Sequence, residues 1–327
     1  MRIERKEEEI MYEKYLIQMN DPKDWIRHWD EGTQVVNDFT LPRGPYEKDE
    51  MSDTIYHKDA TVPYHQHRKG FETFEIAAGA VECFMRGKRF IATAGDIIHI
   101  APWTPHGFHF LEEGTIWREL FQEIDMSGGI WEKNTVNQYF PEMKENPEFM
   151  RVYRSDPLNL KRETPVCVDV DKETMHEVRT PDFAYSTYSG EGYEIKLKVG
   201  KWETNGVKEI WHASLKKGLV VEFAFPHCNW ELYYVKEGAL EVEVLGEKFV
   251  AGPDCLVHIP NFHPHTIRVL EDTKLYDYGG ETDLMAMLED LDSLKKYQPQ
   301  KLKDEAYMTD FKHKYKYFVT GCRMEEV

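Results

Sequence analysis

Long apolar runs are missing from this sequence, and none approaches the roughly 20 residues that a membrane-spanning helix needs. The N-terminal stretch MRIERKEEEIMYEK has no apolar core of the kind found in a secretory signal. Cysteine is also scarce: the five cysteines are scattered, odd in number and form no CxxC pattern. This usage argues against a disulfide framework or a zinc-knuckle module and leads us to expect a protein of the reduced cytoplasm.

Positive charge is in short supply, with 41 Lys and Arg against 59 Asp and Glu and a formal net charge of −18. Nucleic acids and anionic membranes both need a basic surface, so neither is expected as a partner. A hydrophobic content of 41% is that of a globular protein, and 327 residues leave room for two domains with substantial cores.

The richest stretch of the chain carries three histidines and a glutamate. His65 and His67 are two residues apart, so on a β-strand both side chains point the same way. Glu72 follows after a short break, and His106 lies 34 residues beyond Glu72. Three imidazoles and one carboxylate form a ligand set for a divalent transition metal such as Fe, Mn, Co, Ni or Zn. Strand-like runs broken by glycines separate them, which predicts short antiparallel strands that bring the ligands into one cavity.

The spacing of these residues resembles the first motif of the cupin superfamily. His65-x-His67-x4-Glu72-x6-Gly79 matches the form HxH, three or four residues, E, six residues, G. A lone HxH pair is a weak signal, because exposed strand histidines would produce it as well. Four ligands in the right order, with a glycine at the right place, make the resemblance specific.

A second motif of the same superfamily, usually G-x5-P-x-G-x2-H, resembles Gly95-x5-Ala101-x-Trp103-x2-His106. Ala101 and Trp103 replace the usual Pro and Gly. Neither replacement touches an expected ligand, but Trp103 puts the usual turn in doubt and narrows the expected pocket mouth.

Aromatic residues are expected along the wall of the same pocket. Phe108 and Phe110 alternate with the chain beyond His106, so on a continuing strand they face the same side as that ligand. Together with Trp103 they would wall the metal with apolar surface. Plain packing within a barrel core would explain Phe108 and Phe110 equally well.

The unit occurs twice. Residues 72–106 align without a gap on residues 231–265, with eleven identities in 35 positions. Self-similarity of this kind is a fold-level signal, and the equal spacing from Glu to His predicts two frameworks that superpose. Trp103 coincides with Phe262, so both copies have an aromatic residue at that position.

The second copy has fewer ligands. Phe225 replaces the first histidine of the motif, which leaves His227, Glu231 and His265 as a second possible metal site. Two histidines and one carboxylate can hold a metal with open positions. The same residues are equally compatible with a decayed site that is kept for its packing.

The resemblance implies an all-β protein with two tandem jelly-roll-like cupin barrels and helical extensions at both ends. We predict the following segments: a helical extension (1–30), the first barrel with the metal site (31–125), a connector (126–190), the second barrel with the partial site (191–282), and a C-terminal helix and tail (283–327). The N-terminal helix is predicted from Ile3, Ile10 and Ile17, which recur every seven residues, and the C-terminal helix from an apolar stripe beginning at Leu284.

The metal set and the resemblance together predict a metal-dependent bicupin enzyme that acts on a small oxygenated organic molecule. The resemblance offers a dioxygenase, a decarboxylase or other lyase, or an isomerase, without choosing between them, and no catalytic residue is assigned. We expect one divalent transition metal per chain, with a second depending on the other barrel. Barrel edges are often covered by exchange with a neighbouring copy, so a homodimer is expected. The alternative is a non-catalytic cupin protein that binds a metal or a small molecule.

Overall fold

The computed structural model describes residues 15–19, 27–30, 34–38, 52–67, 70–122, 139–153, 159–206, 208–223, 231–259, 263–278, 283–315 and 319–325. The chain divides into two compact units. We call residues 26–182 the first barrel and residues 1–25 with 183–327 the second barrel.

Strands dominate both units. Up to residue 182 they are β1 (Leu16–Gln18), β2 (Arg27–Asp30), β3 (Gln34–Asp38), β4 (Ser52–Tyr56), β5 (Thr61–His67), β6 (Glu72–Ala78), β7 (Ala80–Met85), β8 (Lys88–Thr93), β9 (Ile97–Ile100), β10 (His106–Phe110), β11 (Thr115–Gln122), β12 (Asn159–Lys161), β13 (Val168–Asp169) and β14 (Val178–Arg179). Beyond it they are β15 (Thr187–Gly190), β16 (Tyr193–Val199), β17 (Ile210–Leu215), β18 (Leu219–Phe223), β19 (Glu231–Glu237), β20 (Leu240–Val244), β21 (Glu247–Ala251), β22 (Cys255–Ile259), β23 (His265–Val269), β24 (Thr273–Asp277) and β25 (Val319–Met324).

Helices are few among the described residues. The α-helices are α1 (Pro147–Tyr153), α2 (Leu284–Tyr297) and α3 (Glu305–Lys314), and short 3₁₀ turns occur at Pro141–Glu145, Lys172–Thr174, Lys201–Glu203 and Pro299–Lys303. None of the helices in the described part of the chain has the length and apolar character required to cross a membrane.

The first barrel consists of two sheets, with strand orders β14-β9-β6-β11-β4-β3-β2 and β12-β5-β10-β7-β8-β13. Alternate side chains of both sheets point inward and form one core, which includes Phe74, Val81, Phe108 and Trp117. This is the expected result of period-two alternation in strands with one buried face.

The second barrel repeats this plan. Its sheets have the orders β1-β22-β19-β24-β17-β16-β15 and β21-β20-β23-β18-β25. Strands β6 to β11 of the first barrel therefore correspond to β19 to β24 of the second in the same neighbour relations. The all-β, two-barrel architecture predicted from the internal repeat is confirmed.

In each repeat a glycine lies at the turn where the chain passes from one sheet of the barrel to the other. Gly79 has φ +82°, and a Cβ on it would lie 2.4 Å from the Thr115 hydroxyl. Gly238 has φ +85°, and its Cβ would lie 2.3 Å from the Asp272 carbonyl. Both turns need a residue that tolerates a left-handed backbone and has no side chain, which explains why the motif ends in glycine.

The predicted N-terminal helix is wrong where the structure describes this segment. Leu16–Gln18 is strand β1, paired with β22, and Arg27–Asp30 is strand β2, paired with β3. Ile17 is fully buried in this position. A seven-residue apolar repeat is a weak preference, and covering the open edge of a sheet outweighs it. Ile3 and Ile10 lie outside the described residues.

The C-terminal segment begins with a helix, as its apolar stripe predicts. On α2, Met287, Leu288 and Leu294 are buried. They pack with α3 residues such as Phe311 against Leu197 and Trp211 of the second barrel. The two helices thus close one side of that unit.

Part of the expected connector adds strands to the first barrel. Strand β12 pairs with β5, β13 runs parallel to β8, and β14 pairs with β9. These short strands extend both sheets at their edges, and β12 lies directly beside the strand that bears His65 and His67.

Candidate metal centre

Two adjacent strands and the start of a third bring the predicted ligands together. His65 and His67 lie on β5, and His106, the first residue of β10, is the direct antiparallel partner of His65. Glu72 begins β6 in the facing sheet. The strand alternation of β5 turns both of its histidines to one side, so the three imidazoles converge.

The three imidazoles form a compact group. One nitrogen from each of His65, His67 and His106 lies within 4.8 Å of the other two. The ring centroids are 4.4 Å apart for His65 and His106, and 5.0 Å apart for each of the other two pairs. Two bonds of about 2.1 Å to a shared ion allow donors up to about 4.2 Å apart, so small side-chain rotations suffice to bring the set to bonding distance.

Backbone carbonyls hold two of the rings in place. His65 Nδ1 lies 2.7 Å from the Pro63 carbonyl, and His106 Nδ1 lies 2.8 Å from the Thr104 carbonyl. A carbonyl can only accept, so each Nδ1 carries the proton and each Nε2 keeps its lone pair. His106 Nε2 is buried and has no hydrogen bond of good geometry in the described part of the chain. Buried polar atoms of this kind call for a partner, and a metal ion would supply one.

Glu72 provides the negative charge of the site. Its Oε2 lies 3.2 Å from His67 Nε2 and 3.4 Å from His106 Nε2. Burial disfavours the carboxylate, but the proximity of His106 and His67 outweighs burial and holds the pKa of Glu72 well below its usual value. Glu72 is therefore ionised at neutral pH.

Burial, and then the proximity of His106, lower the pKa of His65 to about 4. His65 is therefore neutral at physiological pH. A metal needs a neutral imidazole and an ionised carboxylate as ligands, so the protonation states of His65 and Glu72 suit metal binding without a prior proton loss.

The backbone next to His106 depends on a glycine that the sequence analysis did not single out. A register shift separates His106 and Phe108 where β10 pairs with β5. A Cβ on Gly107 would lie 3.0 Å from the Cα and 3.1 Å from the amide nitrogen of Tyr64. Only glycine lets β10 approach β5 this closely, and this approach sets the distance between His106 and His65. The sequence signal that could have identified Gly107 is its position on a strand, one residue after the motif histidine.

Replacing Gly107 with alanine is expected to push β10 away from β5 and to weaken metal binding roughly tenfold or more, the usual effect of disturbing what orients the ligands. Competition with a chelator would measure the affinity. Gly252→Ala is the control, because a Cβ there meets nothing within 4 Å. Equal affinities for Gly107→Ala and Gly252→Ala would show that the close approach is not needed.

The three predicted wall residues lie in different surroundings. Phe108 is buried, and its ring lies 5.4 Å from that of His106. Phe110 is buried farther along β10 and stacks on Tyr56 at 3.6 Å. Trp103 is 56% exposed, with its amide donating to the His67 carbonyl at 3.2 Å. Phe108 is thus next to a predicted ligand, Phe110 belongs to the core, and Trp103 lies at the surface beside the site.

The turn at Trp103 keeps the backbone that glycine would adopt. Trp103 has φ +63°, in the left-handed region that costs a residue with a side chain about 1–2 kcal/mol. Strain of this kind concentrates at functional sites. The turn that the sequence put in doubt is therefore formed, with Trp103 in a strained backbone conformation.

The second barrel keeps half of this arrangement within the described residues. His265 Nε2 lies 3.0 Å from Glu231 Oε2, and both side chains are buried. His265 Nδ1 donates to the His263 carbonyl at 3.0 Å, as His106 does to Thr104. His227 lies outside the described residues. The carbonyl two residues before each motif histidine is a feature common to both copies, and the sequence analysis missed it.

Residues 53–116, which carry the three histidines and Glu72, match the family described as Cupin domain. The first barrel thus contains a segment that is similar to the cupin domain, in agreement with the resemblance of its motifs.

Among curated proteins, this chain is similar to quercetin 2,3-dioxygenase of Bacillus subtilis (strain 168), with 21% identity over 228 residues that cover 65% of this chain and 67% of the relative. Among solved structures it is similar to the formate complex of Lactobacillus farciminis oxalate decarboxylase, with a TM-score of 0.49, 16% identity, and coverage of 80% of this chain and 84% of the other. A structure of Bacillus subtilis oxalate decarboxylase, from work on its Mn(II) centres, gives a TM-score of 0.47 and 13% identity over 80% of this chain and 76% of the other.

Proposed function

We propose that this protein is a metal-dependent bicupin enzyme that acts on a small oxygenated organic molecule, with its site in the first barrel. The observation that carries the proposal is the convergence of His65, His67 and His106, with one nitrogen from each within 4.8 Å of the others. Glu72 is in contact with two of them and completes the proposed ligand set.

The donor set leaves room for a substrate. Three imidazoles and one carboxylate occupy four positions of an octahedral ion and leave about two open. When bound, a divalent transition metal would supply Lewis-acid polarisation of a substrate oxygen, and Fe or Mn would add redox chemistry. The first metal belongs to this site, and a second, at His227, Glu231 and His265, remains a separate proposal.

The surroundings favour an organic substrate. Phe108 presents an apolar ring next to His106 and excludes water from that side of the site. Trp103 is exposed, and its amide donates a hydrogen bond to the His67 carbonyl. Its indole ring offers a flat surface on which a ring or a planar carboxylate can lie. Glu72 is ionised, so a divalent ion held with it and three neutral imidazoles would leave the site with a net positive charge that attracts an anion.

Of the three reaction types that the family offers, we place a dioxygenase first. The reason is the sequence relative, which is a quercetin 2,3-dioxygenase. A decarboxylase or an isomerase would use the same ligand set without consuming O₂. The cytoplasmic location and the homodimer predicted from the sequence are parts of the same proposal.

The test is metal analysis of the purified protein, followed by oxygen uptake with flavonols, catechols and small dicarboxylic acids. We expect about one transition metal per chain, and O₂ consumption with a flavonol or a catechol. Turnover without O₂ uptake would move the assignment to the lyase or isomerase branch. A protein without stoichiometric metal after loading with Mn(II), Fe(II), Co(II), Ni(II) and Zn(II) in turn would contradict the proposal.

A further inference from the structure

The second barrel contains a cavity of about 380 Å³ that the first barrel's proposed chemistry does not involve. It lies between the two sheets of that barrel, and residues of α2 and α3 line one side of it. Its lining is almost wholly apolar, with aromatic rings from Trp211, Phe223 and Phe311 among aliphatic side chains. Cavities of roughly 300–1,000 Å³ with apolar walls are typical of small-molecule sites.

The internal repeat explains why this barrel is hollow. Phe108 pairs with Cys83 in the first barrel, and Ile267 pairs with Val242 at the corresponding place in the second. Because residues 83 and 242 are equivalent in the repeat, Ile267 stands where the first barrel has a phenylalanine.

A second large ring is missing in the same way. Trp117 pairs with Ile76 in the first barrel, and Leu275 pairs with Val235 in the second. Residues 76 and 235 are equivalent, so a leucine replaces a tryptophan. Both Ile267 and Leu275 line the cavity.

A third replacement completes the pattern. Tyr56 pairs with Thr115 in the first barrel, and Leu215 pairs with Thr273 in the second. Leu215 also lines the cavity, so three aromatic residues of one barrel correspond to aliphatic residues around the space in the other.

In the first barrel these rings fill the interior. Trp117 stacks on Phe74 with centroids 3.5 Å apart and lies edge-on to Phe108 at 4.6 Å, while Tyr56 stacks on Phe110 at 3.6 Å. The same framework can therefore hold packed aromatic rings at these positions, and the space in the second barrel comes from its smaller side chains. Interiors normally contain few voids larger than a water molecule, and an engineered apolar cavity of about 150 Å³ already binds benzene.

The cavity has one positive group available. Lys312 on α3 belongs to the lining, is only partly exposed, and has no ion pair or hydrogen bond from its side-chain amine among the described residues. Asp277, the acidic group of the lining, has interactions of its own. A ligand with an apolar body and one negative end would fill the space and pair with Lys312.

We propose that the second barrel binds an amphiphilic organic acid, with a hydrocarbon or aromatic body in the cavity and a carboxylate at Lys312. This site is independent of the proposed metal centre of the first barrel, because every residue of its lining belongs to the second barrel. The second barrel would then be a binding module in which a ligand fills the space that aromatic rings occupy in the first barrel.

The test uses calorimetric titration of the whole chain with decanoate and with 1-decanol, which has the same chain length without the charge. The wild type should bind decanoate more tightly than decanol. Ile267→Phe with Leu275→Trp, which introduces the rings of the first barrel, should weaken decanoate binding at least ~10-fold. Lys312→Gln should weaken decanoate binding about fivefold and leave decanol unchanged, as expected for one partly exposed ion pair.

Val250→Phe is the control, because Val250 is 55% exposed and lies outside the lining. It should bind decanoate as the wild type does. If the double variant does not unfold cooperatively, Ile267→Phe alone replaces it in the titration.

Two outcomes would overturn the proposal: no decanoate binding by the wild type, or unchanged binding by a folded variant whose cavity has been filled with these rings. Equal effects of Lys312→Gln on decanoate and decanol would overturn the role of the charge. Metal content, measured on the same samples, separates a failure here from a failure at His65, His67 and His106.

Discussion

Replacing both His65 and His106 with alanine is expected to abolish tight metal binding. The two residues are direct cross-strand partners, and their rings lie 4.4 Å apart. A hydrogen bond to the carbonyl two residues earlier in the chain orients each ring, and alanine removes both the ring and this hydrogen bond. His67 and Glu72 alone would leave a two-ligand site. Because even outer partners of metal ligands are typically worth ~10–100-fold in affinity, loss of two ligands should exceed ~100-fold.

The second barrel supplies a matched control. His265 occupies the position equivalent to His106, has the same hydrogen bond to a carbonyl, and lies 3.0 Å from Glu231. His265→Ala should therefore leave the metal of the first barrel in place. Elemental analysis after gel filtration measures both variants, with circular dichroism to confirm folding. Stoichiometric metal in the double variant, or loss of the metal in His265→Ala, would show that the two barrels have been ranked wrongly.

The repeat made most of the fold predictable. Alternating apolar residues between left-handed glycines, such as Gly79 and Gly238, are a local signal, and they give strands β6 to β11 and β19 to β24 directly. The histidine cluster followed from the same reasoning, since HxH on a strand points both rings one way and the repeat places the third on a neighbouring strand. Hence the three imidazoles were predicted together from their spacing and from the resemblance to the cupin motifs.

Elements that depend on distant partners were not predictable in this way. Leu16–Gln18 has no strand pattern of its own and is a strand because β22 offers an open edge. The sequence does not distinguish Gly107 from other strand glycines, and only the structure shows that β5 lies against it. Predicting the cavity would have required the strand register of both barrels, because neither Ile267 nor Leu275 is unusual by itself in a core strand. Such features arise from pairing between segments far apart in sequence, which a single sequence does not reveal.

A buried ion pair in the first barrel carries the largest expected effect on stability. Asp53 on β4 and Arg118 on β11 are direct cross-strand partners. The guanidinium meets both carboxylate oxygens, at 2.8 and 3.0 Å, and both residues are at most 7% exposed. The bidentate geometry compensates both buried charges. Removing one partner leaves the other charge buried, and such losses typically cost 3–5 kcal/mol.

We expect Asp53→Ala to lower the free energy of unfolding by about 3 kcal/mol, near the lower end of that range. The reason is Glu75, a buried acid on β6 that is also a cross-strand partner of Arg118 and limits the loss. Asp169→Ala provides the control: its partner is Arg89, the same type of pair, but both side chains are exposed, so little change is expected. Urea unfolding at fixed pH and fixed metal loading measures both. An Asp53→Ala cost no greater than that of Asp169→Ala would contradict the prediction, because it would show that the buried charge of Arg118 does not depend on Asp53 for its compensation.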